Sequence, residues 1–586
     1  MSDSLGDMAS VTTKDAQPKR AQPLWRAHKL RAVVDFAVES HGRAVAVLVI
    51  ACLLAFLPGF FQVPPVDRDE ARFAQATKQM VESGDFVDIR FQDEVRYKKP
   101  VGIYWMQAAV VKAGTKLGVP DALHTIWLYR IPSLLGAILA VLLTYWTALA
   151  FVSRRAAVLA GLMMATSIML GVEARLAKTD AVLLATIVAS YGALGRIYLG
   201  NFKPGSGLWN TWQLPAIFWT AMAVGILIKG PLIAMFVGLT IITLVIADRS
   251  GRWLMGLRPL PGFIWMCLLI LPWFVAILGR AGEQFIAGSV SEDLISKIFS
   301  GQESHGAPPG YYFLLFWVTF WPGAALAAMA AQTVWASRKE KGARFLLAWI
   351  IPGWVVFELV MTKLPHYVLP AYPAIAILIA GVVNRHVLAR ERWLTRGASW
   401  WFVLAVILAL GSIAGLIAVA RQPGLLAWPF AAGAVILAFF AWRLYEADGA
   451  ETSLLRAMAA SILIAIGVYG VVLPSMTQLF PSAAIAQALK TSGCPHPQTA
   501  AVGFQEPSLV FLAGTSTRMA DAQGAADFLR GGACRFALIE TRFERAFLRR
   551  AEAIGLRYSQ GARIEGINYA AGRQATIAIF RSDATP

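Results

Sequence analysis

Apolar residues run through most of the chain in blocks of roughly twenty, the length a helix needs to cross a bilayer core of about 30 Å. Thirteen such blocks can be marked, at about 42–61, 127–151, 155–172, 178–199, 212–228, 230–247, 260–279, 311–335, 344–361, 367–384, 400–420, 425–442 and 456–474. Only the turn Lys229-Gly230-Pro231 separates the fifth from the sixth, and fusing or dropping a span there would reverse every later loop. Between the first two blocks, in 62–125, the period changes. Phe73, Ala76, Thr77, Met80 and Val81 share one face of a helix over 70–81, which predicts an amphipathic helix lying on the membrane surface. The stretch 101–117 is more apolar, but it is short and carries Lys112 and Lys116, so it reads as a second interfacial helix rather than a span. A further loop, 280–310, ends in the turn signal His305-Gly-Ala-Pro-Pro-Gly. Beyond 475, helix-like stretches (483–490, 522–529, 545–553) alternate with short apolar runs (500–504, 536–540, 575–580), the pattern of a small α/β domain.

Composition agrees: 57% of the 586 residues are hydrophobic and 15% charged, against about 25% charged in soluble domains. The short loops on one side are uniformly basic, from Ser153-Arg154-Arg155 through Arg338/Lys339/Lys341/Arg344 to Arg443/Arg456, whereas the other side holds scattered cations. The positive-inside rule then places the N-terminus in the cytoplasm and 476–586 outside. The expected fold class is a polytopic α-helical membrane protein of about thirteen transmembrane helices with a C-terminal periplasmic α/β domain. Residues 1–41 form a basic cytoplasmic segment, with 24–39 lying along the membrane as a helix. The net charge of +18 follows from this topology and does not gather in one soluble domain, which argues against a nucleic-acid partner. Cys52 and Cys267 fall in spans, where they pack; Cys494 and Cys534 share the exported tail, where a disulfide is open to them but their separation is not legible.

Charged chemistry collects on one membrane face. Asp67-Arg68-Asp69-Glu70-Ala71-Arg72 follows the first span directly. Helix capping by Asp67 or Asp69 accounts for one acid, but not for two Asp, a Glu and the answering run Arg96-Tyr97-Lys98-Lys99 at the end of the same loop. Such cations serve either as lipid-facing side chains or as a grip on a phosphate. A second group, Glu173-Ala-Arg175-Leu-Ala-Lys178-Thr-Asp180, sits where the third and fourth spans meet, and a third is Lys363-Leu-Pro-His366-Tyr367. Ionisable residues at a membrane boundary are costly and mark function. Lys229, Arg280, Glu292, Asp293 and Lys297 fall on the same side. A transporter would bury its charges near the midplane of broken helices, and few lie there. The pattern fits an enzyme whose phosphate-bearing substrate arrives through the lipid, with cations holding the leaving phosphate and a carboxylate accepting a proton from a hydroxyl.

These motifs resemble the GT-C superfamily of polyprenyl-phosphate-sugar glycosyltransferases, in particular the lipid A aminoarabinose transferases and the protein O-mannosyltransferase-like enzymes. The matching elements are Asp69-Glu70 with Arg72, Gly84-Asp85-Phe86, Lys99-Pro100-Val101-Gly102 with Tyr104-Trp105, Arg175…Asp180, Lys229-Gly230-Pro231, His305-Gly-Ala-Pro, and Lys363-Leu-Pro-His366-Tyr367-Val-Leu-Pro, in order from about residue 60 to 375. The resemblance implies a GT-C fold, an undecaprenyl-phosphate sugar donor, a lipid A, lipopolysaccharide or other envelope-glycan acceptor, and inversion at the anomeric carbon. It implies Asp69 as base with Glu70 and Asp180 as further carboxylates. Arg72, Lys99, Tyr367 and Lys297 would be donor-phosphate contacts by the resemblance; by their placement on the same face Lys98 and Lys363 join them as candidates, with Arg175, His366 and Glu173 as candidates supporting the acceptor. One departure stands out: Tyr97-Lys98 precedes Lys99-Pro100 where the aminoarabinose enzymes have an aromatic residue and a Glu able to contact a metal. Fixed cations can stabilise the phosphate, so no metal or other cofactor is required. The extra Lys98 suits an acidic sugar. A protein O-glycosyltransferase of the same fold and a non-catalytic lipid-sugar carrier are the alternatives; the oligomeric state is not legible.

Overall fold

The computed structural model describes residues 28–200, 208–286, 307–388, 395–568 and 571–583. Each predicted block becomes a helix or a broken helix. Those needed below are α1 (His28–Glu39), α2 (His41–Phe56), α3 (Asp69–Ser83), α4 (Gly102–Lys116), α5 (Ile126–Ala148), α6 (Arg154–Thr166), α7 (Ile168–Glu173), α8 (Asp180–Leu199), α9 (Leu208–Lys229), α10 (Leu232–Asp248) and α11 (Pro259–Ile286). Among the described residues eight helices are long and apolar enough to cross a membrane, or nine if one bent pair counts as a single span. His41–Phe56, Leu232–Asp248 and Trp428–Arg443 are apolar but shorter. Two predicted spans are interrupted. The block at 155–172 divides into α6 and α7 at Ser167, whose extended backbone (ψ 136) ends one helix and starts the next. The block at 311–335 becomes Tyr311–Thr319 and Ala324–Ala336, bent by 119°.

The loop between α2 and α5 carries α3, a two-residue hairpin (β1 Arg90–Phe91, β2 Glu94–Val95) and α4. Gly84, in the left-handed region at φ 73, closes α3 with its N–H on Met80 O. On the opposite end of the bundle, α1 is fastened by Arg31 to Thr452 and through Asp35 to Arg155, which also holds Glu451.

The tail folds as a five-stranded sheet in the order β4-β3-β5-β7-β6, from β3 (Gln498–Val502), β4 (Arg518–Met519), β5 (Arg535–Glu540), β6 (Tyr558–Asn568) and β7 (Arg573–Ser582). β3 pairs parallel with β4 and β5, and β7 pairs antiparallel with β5 and β6. Alternating side chains feed two cores, as a period of two requires. Ala537, Ile539, Ala578 and Phe580 pack under the helices Ala522–Arg530 and Thr541–Ala553, while Phe536, Leu538, Ile577 and Ile579 pack under Pro481–Thr491. Cys494 and Cys534 form a disulfide across 40 residues.

Candidate active site

The acids after the first span have three different fates. Neither Asp67 nor Asp69 caps α3; the capping position is Arg68, whose φ of 67 is strained for a side-chain-bearing residue and which makes no side-chain cap. Glu70 reaches back out of the helix and accepts the Val66 N–H at 2.8 Å. Its carboxylate is buried with Arg130 of α5, Nε to Oε1 at 2.7 Å and Nη2 to Oε2 at 2.9 Å, and it also accepts the Ala177 N–H at 2.9 Å. Arg130 spends its remaining N–H groups on the carbonyls of Phe60, Val63 and Pro64. A guanidinium has five donors in a fixed fork, so this pair welds the first loop to α5 and to the loop before α8. Asp67 accepts the Ser508 N–H of the tail at 3.0 Å, and burial raises its carboxyl above the ordinary range while that bond partly offsets the shift. Asp69, between them, keeps a side chain 53% exposed, with the Arg72 guanidinium 4.0 Å away.

The second and third groups converge although nearly two hundred residues separate them. Lys178 Nζ lies 3.0 Å from Glu173 and 3.9 Å from Asp180. Lys229 caps the carboxylate of Asp180, and His366 lies 3.5 Å from Glu173 and 3.4 Å from Asp180. Lys229 also stands over the Tyr367 ring, 5.6 Å from its centroid. The first loop reaches this cluster through Glu70, which accepts the Ala177 N–H beside Lys178. Glu173, Asp180 and His366 bring one ligand atom each within 4.8 Å of one another. The donor set nevertheless suits a metal poorly, because two lysine ammonium groups already neutralise the two carboxylates.

Some candidates are turned elsewhere. Lys363 Nζ donates to the carbonyls of Phe357, Glu358 and Val360 at 2.7–2.9 Å, closing the C-terminal end of the helix Lys341–Leu359. Arg175 donates to the carbonyls of Pro58, Gly171 and Ala55 and lies 4.0 Å from the Tyr469 ring centroid. These two, like Glu70, are engaged in holding backbone. Lys98 is exposed, and Lys99 Nζ bonds its carbonyl at 2.8 Å. Lys297 lies outside the described residues, as do Glu292, Asp293 and His305. Arg130 escaped notice in the sequence although it stands inside the apolar block 127–151, where an ionisable residue is itself the signal.

The fold is shared with solved structures of the membrane protein ArnT. Over 91% of this chain and 97% of the other it superposes on ArnT from Cupriavidus metallidurans in the apo state with a TM-score of 0.72 at 19% identity, and on the same protein bound to undecaprenyl phosphate with 0.69 at 20%. The chain resembles, more particularly, the undecaprenyl phosphate-α-4-amino-4-deoxy-L-arabinose arabinosyl transferases. The one from Pectobacterium carotovorum is 27% identical over 391 residues, 66% of this chain and 66% of that protein, so the chain spans just under two thirds of that relative. The dolichyl-phosphate-mannose-protein mannosyltransferase family profile matches residues 45–281.

Proposed function

We propose that this chain is an inner-membrane glycosyltransferase that moves one sugar from an undecaprenyl phosphate to lipid A, lipopolysaccharide or another envelope glycan on the periplasmic side, with inversion. The observation that carries the reading is the exposed Asp69 carboxylate, anchored on both flanks, beside Arg72 and next to Glu70, which ties the loop to the Glu173–Asp180 segment, on a GT-C fold. Asp69 takes the proton of an acceptor hydroxyl as its oxygen bonds to the anomeric carbon. The bond from that carbon to the phosphate oxygen breaks, and undecaprenyl phosphate leaves with the electron pair. Arg72, Lys99 and Tyr367, with Lys297, offset the charge that develops on the phosphate. Lys98, on the exposed rim, meets the sugar. Asp180, Glu173 and His366 form the wall that orients the acceptor. Glu70, Arg175 and Lys363 are positioning residues in this scheme. No resident metal is required.

Topology supports the assignment of sides. The tail touches the first loop at Asp67–Ser508 and at Asp121–Lys490, so an even number of crossings separates them. Thirteen spans, one before that loop and twelve after it, meet this condition with the N-terminus cytoplasmic and residues 476–586 periplasmic. The family profile favours a second reading, a Ser or Thr acceptor on a protein.

Purified protein mixed with radiolabelled undecaprenyl-phosphate sugars and lipid A tests the proposal. Label passing to lipid A or to envelope glycan supports it, and label passing only to protein supports the second reading. Donor binding without transfer to any acceptor would leave a carrier.

A further inference from the structure

The tail domain reaches into the first loop and is held there by a built interface. Phe511, fully buried, enters a small core of Ala74, Val111, Ala122 and Tyr129, its ring 5.2 Å from that of Tyr129. Lys78 donates to Phe511 O at 3.0 Å, Thr515 bonds Glu82 at 2.7 Å, and Gln92 donates to the carbonyls of Thr515 and Thr517 at 3.0 and 2.6 Å. A fully buried aromatic ring is among the larger stabilising contributions one side chain makes, so the tail is fixed against the first loop. Its contact closest in sequence to Asp69 is Ser508, whose N–H meets Asp67 Oδ1. Between Asp67 and Asp69 stands only Arg68, at φ 67, a conformation that persists where the surroundings hold it from both sides. Glu70 and Arg130 hold one side; Asp67 and Ser508 hold the other.

We propose that Asp67 is a positioning residue for sugar transfer: by holding the Ser508 N–H it ties the tail domain to the strained turn at Arg68 and sets the direction of the Asp69 carboxylate. This rests on Asp69 acting as the base. The residue does not touch the reacting atoms, so its loss slows turnover without weakening donor binding.

The test compares full-length wild type, Asp67→Ala and Asp67→Asn in detergent, with donor concentration varied and hydrogen exchange of residues 66–75 followed in parallel. Asp67→Ala is expected to lower kcat about tenfold or more, since small misplacements of a reacting group are costly, while KM for the donor stays within about twofold. Asp67→Asn keeps the acceptor oxygen and recovers most of the rate. Residues 66–72 exchange faster in Asp67→Ala than in wild type. A wild-type kcat in Asp67→Ala, or equal slowing by Asn and Ala, overturns the proposal. If wild type transfers no sugar, the proposed function fails, and the exchange measurement still decides this one: unchanged protection of 66–72 in Asp67→Ala overturns it. Should Asp67→Ala not accumulate as folded protein, Phe511→Ala loosens the helix Pro507–Ala513, which carries both Ser508 and Phe511, and has the same expectations.

Discussion

Replacing Glu70 by Gln separates a structural from a reacting role for the residue next to Asp69. The side chains of Glu70 and Arg130 are each 1% exposed. Removing the charge of one leaves the other buried and uncompensated, which costs about 3–5 kcal/mol. The amide introduced by Glu70→Gln would still offer one oxygen to a backbone N–H, and Arg130 would keep its three carbonyls, so the lower end applies to this variant and the upper end to Arg130→Met. At about 1.4 kcal/mol per tenfold, local opening of residues 62–75 becomes roughly 10²-fold more frequent in Glu70→Gln and several thousandfold in Arg130→Met, read directly by native-state hydrogen exchange. The double variant Glu70→Gln/Arg130→Met removes both charges, and its cost falls well below the sum of the single costs. Transfer activity, normalised to folded protein, drops in step with the loss of protection. Glu70→Gln that abolishes transfer while leaving protection at the wild-type level would instead return Glu70 to the reaction.

Three further outcomes follow from the same geometry. Burial holds the Lys78 ammonium down at about 8, and burial together with Lys78 lowers His124. A base lowered on folding binds fewer protons folded than unfolded between its folded and unfolded values. Folding stability therefore strengthens as pH rises from about 8 toward 10.5, by roughly 3 kcal/mol at most, and Lys78→Met loses this dependence when thermal unfolding is followed against pH. Reducing the Cys494–Cys534 disulfide, or replacing both residues by Ser, removes a closure of 40 residues worth about 4 kcal/mol to the tail domain; thermal unfolding under reducing conditions shows the loss, and an unchanged midpoint contradicts it. Lys363→Met lowers stability by leaving three carbonyls without their donor, yet binds undecaprenyl phosphate as wild type does. A tenfold loss of that binding in folded Lys363→Met would restore Lys363 to the phosphate site.

Much of the fold was legible because its signals are periodic. Blocks of twenty apolar residues, the amphipathic face of Phe73, Ala76 and Met80, and the alternation of Phe536-Ala537-Leu538-Ile539 each announce an element through local repetition. What stayed hidden has no period. The helix Pro507–Ala513 is seven residues long, too short to show a face, though it carries the Phe511 that seats the tail. β6 is largely exposed, so its Ser-Gln-Gly-Ala-Arg run lacks the apolar alternation of a buried strand. In the site, residue type was readable but not occupancy. Glu70 and Asp69 are adjacent carboxylates in the sequence; one meets Arg130 sixty residues on and is saturated, the other faces outward. Lys363 and Lys229 look alike as cations near a membrane boundary, but one closes a helix end and the other meets Asp180. Such differences are set by long-range packing and by the left-handed turn at Arg68, which no neighbouring residue signals.

The central claim is that Asp69 is the base in a transfer from a polyprenyl phosphate. Its most direct test is a single-turnover experiment in which wild type and Asp69→Asn, each shown to bind undecaprenyl phosphate, are mixed with labelled undecaprenyl-phosphate sugar and lipid A. Label is expected on lipid A with wild type, with at least about 10²-fold slower transfer by Asp69→Asn at unchanged lipid binding. Transfer at the same rate by both would contradict the claim and turn attention to Asp180.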